Sequence, residues 1–161
     1  MDKNKVFLGI DPGKTGAMVL YSDVGGILGF SDYTNMVFLN ERIRGWHEEY
    51  TNILGVIEQV HAFPGQGVTG MFNFGANYGF WQGVLLGNGI PYGIVSPQRW
   101  QGEMLDKTDG KNTKERSLVM ARRLFPTRLD LFRRKKDNGR ADAALMAVYG
   151  SRVYSPQQQK G

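Results

Sequence analysis

The chain has 161 residues, with 20 Lys and Arg against 15 Asp and Glu, a formal net charge of +5 and no cysteine. Its length predicts a single domain over residues 1–161, because two domains of ordinary size need roughly 200 residues or more. The missing cysteines exclude a disulfide framework, a thiolate nucleophile and zinc–thiolate sites. No apolar run reaches the ~18 residues of a membrane-spanning helix, so we expect a soluble, cytoplasmic protein with a frayed tail after about residue 155.

The positive charge is concentrated in the second part of the chain. Residues 1–98 carry 5 Lys and Arg against 8 Asp and Glu, whereas residues 99–161 carry 15 against 7. A basic part joined to a mildly acidic one is the distribution expected when one face of a protein binds a polyanion such as nucleic acid. A solvated basic surface without a partner explains the charge equally well at this point.

Three short apolar segments open the chain and predict an antiparallel meander. They cover residues 5–10, 15–21 and 27–33, and the turn-forming residues 23–26 separate the second from the third. The first segment runs into Asp-Pro-Gly, so the first strand delivers Asp11 at its end.

Helical and strand-like patterns then alternate. We expect helices over residues 40–54, 68–86, 98–104, 113–125 and 140–152, and strands over residues 54–60 and 91–95. Asn40, Ser96 and Thr113 are the predicted N-caps of the first, third and fourth helices. Three strands followed by alternating elements predict an α/β fold, with a mixed five-stranded sheet flanked by helices.

Three acidic residues lie where burial is costly for a carboxylate. Asp11 ends an apolar strand, Glu58 lies inside the strand-like sequence VIEQV, and Asp142 opens the apolar last helix. Each alone has an ordinary explanation as a hydrogen-bonded or helix-capping acid. Together, in a chain without cysteine, they predict an all-oxygen site for hard cations such as Mg²⁺ or Mn²⁺. Two such ions beside a basic surface form a familiar site for phosphodiester hydrolysis.

Several motifs in a fixed order resemble the RuvC-type Holliday-junction resolvases, with the phage-encoded branch the most similar. The match runs over residues 5–150 in the family's order. The motifs are FLGIDPGKTG at 7–16, VIEQVHAFPGQG at 56–67, SPQRW at 96–100, KERSLVMARRLFP at 114–126 and KDNGRADAALMA at 136–147. GIDPG alone is a weak signal, whereas GIDPG, IEQV and ADA at these spacings are a specific one.

The resemblance implies an RNase H-like fold, a homodimer and a nuclease that makes paired symmetric nicks across branched DNA, chiefly four-way junctions. It implies two Mg²⁺ ions per active site, with Mn²⁺ as a possible substitute and no nucleotide cofactor. Asp11, Glu58 and Asp142 fall on the family's metal-binding acids. Asp11 is then expected to bridge both ions, while Glu58 and Asp142 complete one site each.

The resemblance also assigns DNA-contacting residues. Lys114 matches a basic residue that lies near the scissile phosphate in the family. A solvent-exposed lysine at the start of a helix is the competing explanation. His61 and Phe63 follow Glu58 in the segment that contacts the junction centre, so they are candidate wedges between bases. For Phe63, core packing is the competing explanation.

Two positions depart from the family's pattern. A further metal-binding Asp or His is expected one helical turn before Asp142, where this chain has Gly139, and Asp137 is the predicted substitute. Gln101 stands where a lysine is expected. The predicted substitutes for that phosphate contact are Arg99, Lys107 and Lys111.

Three other functions compete with this one. A broader debranching endonuclease that cuts forks and flaps is not distinguished by sequence, because dimer geometry selects the substrate. A phosphotransferase of the actin or sugar-kinase type shares the opening hairpin but needs two such domains, and no P-loop motif occurs. The retention of all three acids argues against a catalytically impaired junction-binding protein, but Gly139 in place of a further acid keeps that alternative open.

Overall fold

Five strands form one sheet in the computed structural model, which describes residues 5–154. The strands are β1 (Val6–Asp11), β2 (Ala17–Ser22), β3 (Gly26–Asp32), β4 (Ile53–Glu58) and β5 (Tyr92–Val95). Their order is β3-β2-β1-β4-β5, with antiparallel pairing of β1 to β2 and β2 to β3, and parallel pairing of β1 to β4 and β4 to β5. The predicted mixed five-stranded sheet is confirmed, and the tail predicted after about residue 155 lies outside the described residues.

Five helices flank this sheet. They are α1 (Met36–Glu49), α2 (Val68–Gly87), α3 (Pro97–Met104), α4 (Thr113–Leu124) and α5 (Asn138–Tyr154). Short turns of 3-10 helix lie at Lys107–Asp109, Pro126–Phe132 and Lys135–Asp137. Across residues 5–154, no helix combines the length and hydropathy needed to span a bilayer.

Two of the predicted N-caps are wrong. Asn35 caps α1 by accepting a hydrogen bond from the Phe38 N–H at 2.9 Å, whereas Asn40 lies inside the helix and accepts from the Asn88 side chain at 2.9 Å. Asn112 caps α4 in place of Thr113, because its side chain accepts from the Glu115 N–H at 3.0 Å. Helix α5 begins at 138 and not 140, because the 3-10 turn before it leads directly into the helix.

The two faces of the sheet bury different helices. Leu8, Ile10 and Ile57 pack with Trp81 and Leu85 of α2 in one apolar cluster. The opposite face packs on α5, with Val56 of β4 in the same cluster as Ala143 and Ala144. Because side chains alternate along a strand, the residues after Ile10 and Ile57 point to the face that α5 covers.

Helix α5 lies directly on β1. A Cβ added to Gly9 would overlap the backbone oxygen of Ala143, so only glycine allows this approach. The close packing brings the first turns of α5 beside the end of β1, where Asp11 lies.

Candidate active site

The carboxyl ends of two parallel strands and the start of one helix bring three acids together. Ile10 of β1 pairs with Ile57 of β4, so Asp11 and Glu58 occupy the next positions on adjacent strands. Both follow apolar residues of the opposite face and therefore face α5. Asp142 lies in the second turn of α5, one residue before the contact between Ala143 and β1.

Burial raises the pKa values of all three acids, and repulsion by neighbouring carboxylates adds to the rise for Asp11 and Asp142. Burial raises the pKa of Asp11 well above its ordinary value, and the charges of Asp142 and Glu58 raise it further. Burial raises the pKa of Asp142 to about 7, with Glu58 adding to the effect. Burial also raises the pKa of Glu58. The three acids are electrostatically coupled neighbours that resist carrying full negative charge together.

Two neutral side chains contact these acids, and the sequence reasoning did not identify them. The buried Trp100 of α3 donates a hydrogen bond from its indole Nε1 to Glu58 Oε2 at 2.6 Å, which counteracts the rise in the pKa of Glu58. The buried Ser117 hydroxyl of α4 lowers the pKa of Asp142, although no described residue meets full hydrogen-bond geometry with its Oγ. A buried tryptophan N–H usually has a hydrogen-bond partner. That rule is the signal in the sequence that could have identified Trp100 as a neighbour of a buried acid.

The donor chemistry of the cluster fits a hard divalent cation. Its three carboxylates supply only oxygen atoms, which are the ligands that Mg²⁺ and Mn²⁺ prefer. Burial and repulsion between carboxylates raise the pKa values of Asp11 and Asp142, and a bound cation would stabilise their ionised forms. Among the described residues, no group of three His, Asp or Glu side chains is arranged at metal-ligand spacing.

Lys114, at the start of α4, provides positive charge near the acids. Its charge lowers the pKa of both Asp11 and Asp142. It also lines a cavity of about 340 Å³ that is predominantly basic. The charged residues around this basic cavity are Lys14, Lys114, Arg134, Lys136 and Arg140, against Asp32 and Asp137. Such a surface suits backbone phosphates of a nucleic acid.

The structure does not bring Asp137 into the acid cluster. Its buried carboxylate accepts hydrogen bonds from the Arg134 backbone N–H and from Arg134 Nη2, both at 2.8 Å. Burial acts to raise the pKa of Asp137, but these bonds and the charges of Arg134 and Arg140 outweigh it, so the pKa lies below its ordinary value. Asp137 is not among the charges that shift Asp11 or Asp142.

Gly139 lies beside the acid cluster, and steric contacts explain why this position has no side chain. A Cβ on Gly139 would lie 3.4 Å from Asp11 Oδ2, so a side chain there would point toward the acids. The same Cβ would lie 2.5 Å from the Thr15 backbone oxygen and 3.2 Å from Gly16 Cα. The backbone of the β1–β2 loop therefore occupies the space that a fourth ligand side chain would need.

The remaining predicted DNA-binding residues lie on the surface and outside the acid cluster. His61 and Phe63 are exposed in the segment between β4 and α2, and the Phe63 side chain is 65% exposed, which excludes core packing. Arg99, Lys107 and Lys111 are exposed on α3 and on the segment that leads to α4.

Known proteins resemble the chain in sequence and in fold. No family model matches it. It is 36% identical over 101 residues to "Holliday junction resolvase MOC1, chloroplastic" of Chlamydomonas reinhardtii, a match that covers 60% of this chain and only 11% of that protein. RuvC of T. thermophilus in complex with a Holliday junction substrate superposes with a TM-score of 0.65 at 15% identity, covering 92% of this chain and 96% of that one. A second Thermus thermophilus RuvC structure gives 0.61 at 18% identity with the same coverage. The chain therefore has the same fold as RuvC, and over 101 residues its sequence is similar to part of a protein named as a Holliday junction resolvase.

Proposed function

We propose that this protein is a structure-selective DNA endonuclease that resolves four-way junctions by paired symmetric nicks, with two Mg²⁺ ions per active site. One observation carries the proposal. Asp11, Glu58 and Asp142 converge at the ends of β1, β4 and the start of α5, beside Lys114 and a basic cavity, in a RuvC fold. The phage-encoded branch and the cytoplasmic location stay predictions from sequence.

The three acids would hold the divalent cations. Bound there, such cations supply Lewis-acid activation of a phosphodiester and lower the pKa of water. The charges of both Asp142 and Glu58 raise the pKa of Asp11, so Asp11 lies near both other acids and would help to hold the cations. Trp100 fixes the orientation of Glu58 through its 2.6 Å hydrogen bond, and Ser117 favours the ionised form of Asp142. Asp137, held by Arg134, has no direct part in this proposal.

Basic and aromatic surface residues would position the DNA. Lys114 is close enough to the acids to lower their pKa values, so it would contact the phosphate that is cut. Arg99, Lys107 and Lys111 would contact flanking phosphates, and the exposed Phe63, with His61 nearby, would insert at the junction centre.

An exposed apolar stripe on α2 supports the proposed homodimer. Val68, Phe72 and Leu86 are 81%, 75% and 66% exposed, and they lie on the helix face opposite the buried Trp81. Gly75 and Gly79 lie on the same face, and a Cβ at either would meet no atom within 4 Å. Small residues flanked by large apolar ones permit close helix–helix packing. We therefore propose that two copies pair through α2, because branched DNA with two equivalent strands to cut calls for two symmetric active sites.

Replacing Gly79 by arginine is expected to weaken the dimer at least about 100-fold, because an unpaired charge buried in an interface costs about 3 kcal/mol or more. The free subunit has open space at this position and should keep its thermal stability. Gly102→Arg on α3 is the matched control, since its Cβ also meets no atom within 4 Å. Sedimentation equilibrium would measure both. A Gly79→Arg protein that stays dimeric would exclude α2 as the interface.

The function itself is tested with a mobile synthetic four-way junction, a fork, a flap and plain duplex, each incubated in Mg²⁺ and in Mn²⁺. The expected result is symmetric paired nicks on the four-way junction, with little cutting of the others. Equal cutting of forks and flaps would replace the proposal with a debranching endonuclease. Tight junction binding without cutting in either metal would mean that Gly139 has left the site catalytically impaired.

A further inference from the structure

The indole of Trp100 reaches the acid cluster from helix α3. Its Nε1 donates a hydrogen bond to Glu58 Oε2 at 2.6 Å, which is shorter than the ~2.9–3.0 Å of most N–H···O hydrogen bonds. Short bonds of this kind are typical of an ionised acceptor. The contact therefore joins a buried side chain to one of the three acids that the proposed function assigns to the cations.

The backbone on both sides of this contact is held in place. Glu58 is the last residue of β4, where it pairs with Val95 of β5. Helix α3 follows β5 after a single residue, Ser96, whose hydroxyl caps the helix, and Pro97 is the first helical residue. Trp100 therefore lies one turn into a helix that starts beside the end of β4.

Packing leaves the indole little freedom to move. Trp100 is completely buried, in the apolar cluster that includes Val95 and Met104. Glu58 is only half-buried, and a carboxylate on such a long side chain samples several rotamers unless a partner restricts it. A rigid donor selects one orientation, so part of the entropy cost of ordering Glu58 around an ion is met before the ion binds.

The donor is also electrically neutral. Over residues 5–154, no lysine or arginine forms an ion pair with Asp11, Glu58 or Asp142. A cationic partner would orient Glu58 equally well, but it would compete with a divalent ion for the negative charge of the carboxylate. The indole N–H orients the carboxylate and leaves that charge available.

We propose that Trp100 is a positioning residue that holds the Glu58 carboxylate for a divalent cation and thereby sets the affinity of the site. This inference rests on the proposed function, which makes Glu58 a cation ligand, and adds to it a determinant outside the three acids. Hydrogen-bond partners that orient metal ligands typically contribute about 10- to 100-fold to metal affinity. Loss of the indole N–H should weaken cation binding to a similar extent.

Binding of Mn²⁺, followed by electron paramagnetic resonance of the free ion, measures this effect without DNA or cleavage. Trp100→Phe should weaken binding by about tenfold or more, and Trp81→Phe should leave it within about twofold. Trp81 is the matched control because it is also completely buried but lies on the opposite face of the sheet, and its Nε1 has no hydrogen-bond partner among the described residues. Both variants remove the same atoms from a packed core, so a fall in melting temperature common to both does not explain a difference in affinity.

Nuclear magnetic resonance provides a second test that keeps the contact intact. The chain has three tryptophans, so its ¹⁵N–¹H spectrum contains three indole signals, which Trp46→Phe and Trp81→Phe assign. The Trp100 signal should lie downfield of the Trp81 signal in the metal-free protein and should shift on titration with Mg²⁺, while the Trp81 signal stays in place. Glu58→Gln should move the Trp100 signal upfield, because a neutral acceptor forms a weaker hydrogen bond than a carboxylate.

The outcomes separate this inference from the proposed function. A Trp100 signal that ignores Mg²⁺, or equal Mn²⁺ affinity in Trp100→Phe and Trp81→Phe, overturns the positioning role whether or not the protein cuts junctions. An affinity that depends on Trp100 in a protein that cuts no branched DNA supports the positioning role and overturns the nuclease. A wild-type protein that binds neither ion overturns both.

Discussion

Replacing Asp11 by asparagine is expected to reduce cleavage of a four-way junction in Mg²⁺ by about 10³-fold or more. Asp11 is buried at the end of β1, and the charges of both Asp142 and Glu58 raise its pKa, so it is part of the acid cluster. Asparagine keeps the size and one oxygen but loses the charge that holds a cation. Metal assistance is worth several kcal/mol of transition-state stabilisation, and each 1.4 kcal/mol is a factor of ten in rate. Single-turnover cleavage of a labelled junction measures the loss.

Junction binding by the same variant should hold within a few-fold or become tighter. Removing one negative charge beside a phosphate-binding surface reduces repulsion of the DNA. Asp23→Asn is the matched control, because Asp23 is exposed in the turn between β2 and β3 and makes the same change in charge. Cleavage that survives in Asp11→Asn would contradict the assignment. Loss of binding together with a lower melting temperature would instead indicate a structural role for Asp11.

Strand patterns predicted where Asp11 and Glu58 lie better than helix patterns predicted helix ends. Short apolar runs placed Asp11 at the end of the first strand and Glu58 on the fourth, where it is the last residue and not an interior one, because buried strands leave a strong apolar signal. Helix α1 begins four residues before its predicted start, since its first turn carries the exposed Met36, Val37 and Phe38, which give no amphipathic contrast. Its predicted end was wrong because Leu54 continues the helical spacing but belongs to β4.

The sequence patterns did not predict which side chains contact the acids or fill the space beside them. Trp100 and Glu58 are 42 positions apart, and no local pattern links an indole to a particular carboxylate. The requirement for glycine at 139 comes from the backbone of Thr15. Asp137 was predicted as a metal ligand because it is acidic and close in sequence, but the neighbouring Arg134 engages its carboxylate.

Replacing Asp142 by asparagine is expected to stabilise the metal-free protein at alkaline pH while it abolishes cleavage. The pKa of Asp142 is about 7 in the folded state, against an ordinary value of 3.8. Between those values the folded protein keeps a proton that the unfolded chain has released, so the free energy of unfolding falls as the pH rises. A pKa difference of one corresponds to about 1.4 kcal/mol, which gives asparagine an advantage of up to about 4 kcal/mol at about pH 8.

This advantage should shrink as the pH is lowered and be nearly absent below about pH 3, where Asp142 is protonated in both states. For a domain of this size, up to about 4 kcal/mol corresponds to a melting temperature higher by about 10 °C. Thermal unfolding in EDTA across the pH range measures it, with Asp23→Asn as the exposed control. Added Mg²⁺ should raise the melting temperature of wild type more than that of Asp142→Asn, since only wild type keeps all three carboxylates to bind it.

A variant that is less stable than wild type at every pH would mean that Asp142 is held by a structural partner. In that case, the interpretation that the three buried acids lower the stability of the metal-free protein and are retained to bind cations would be wrong.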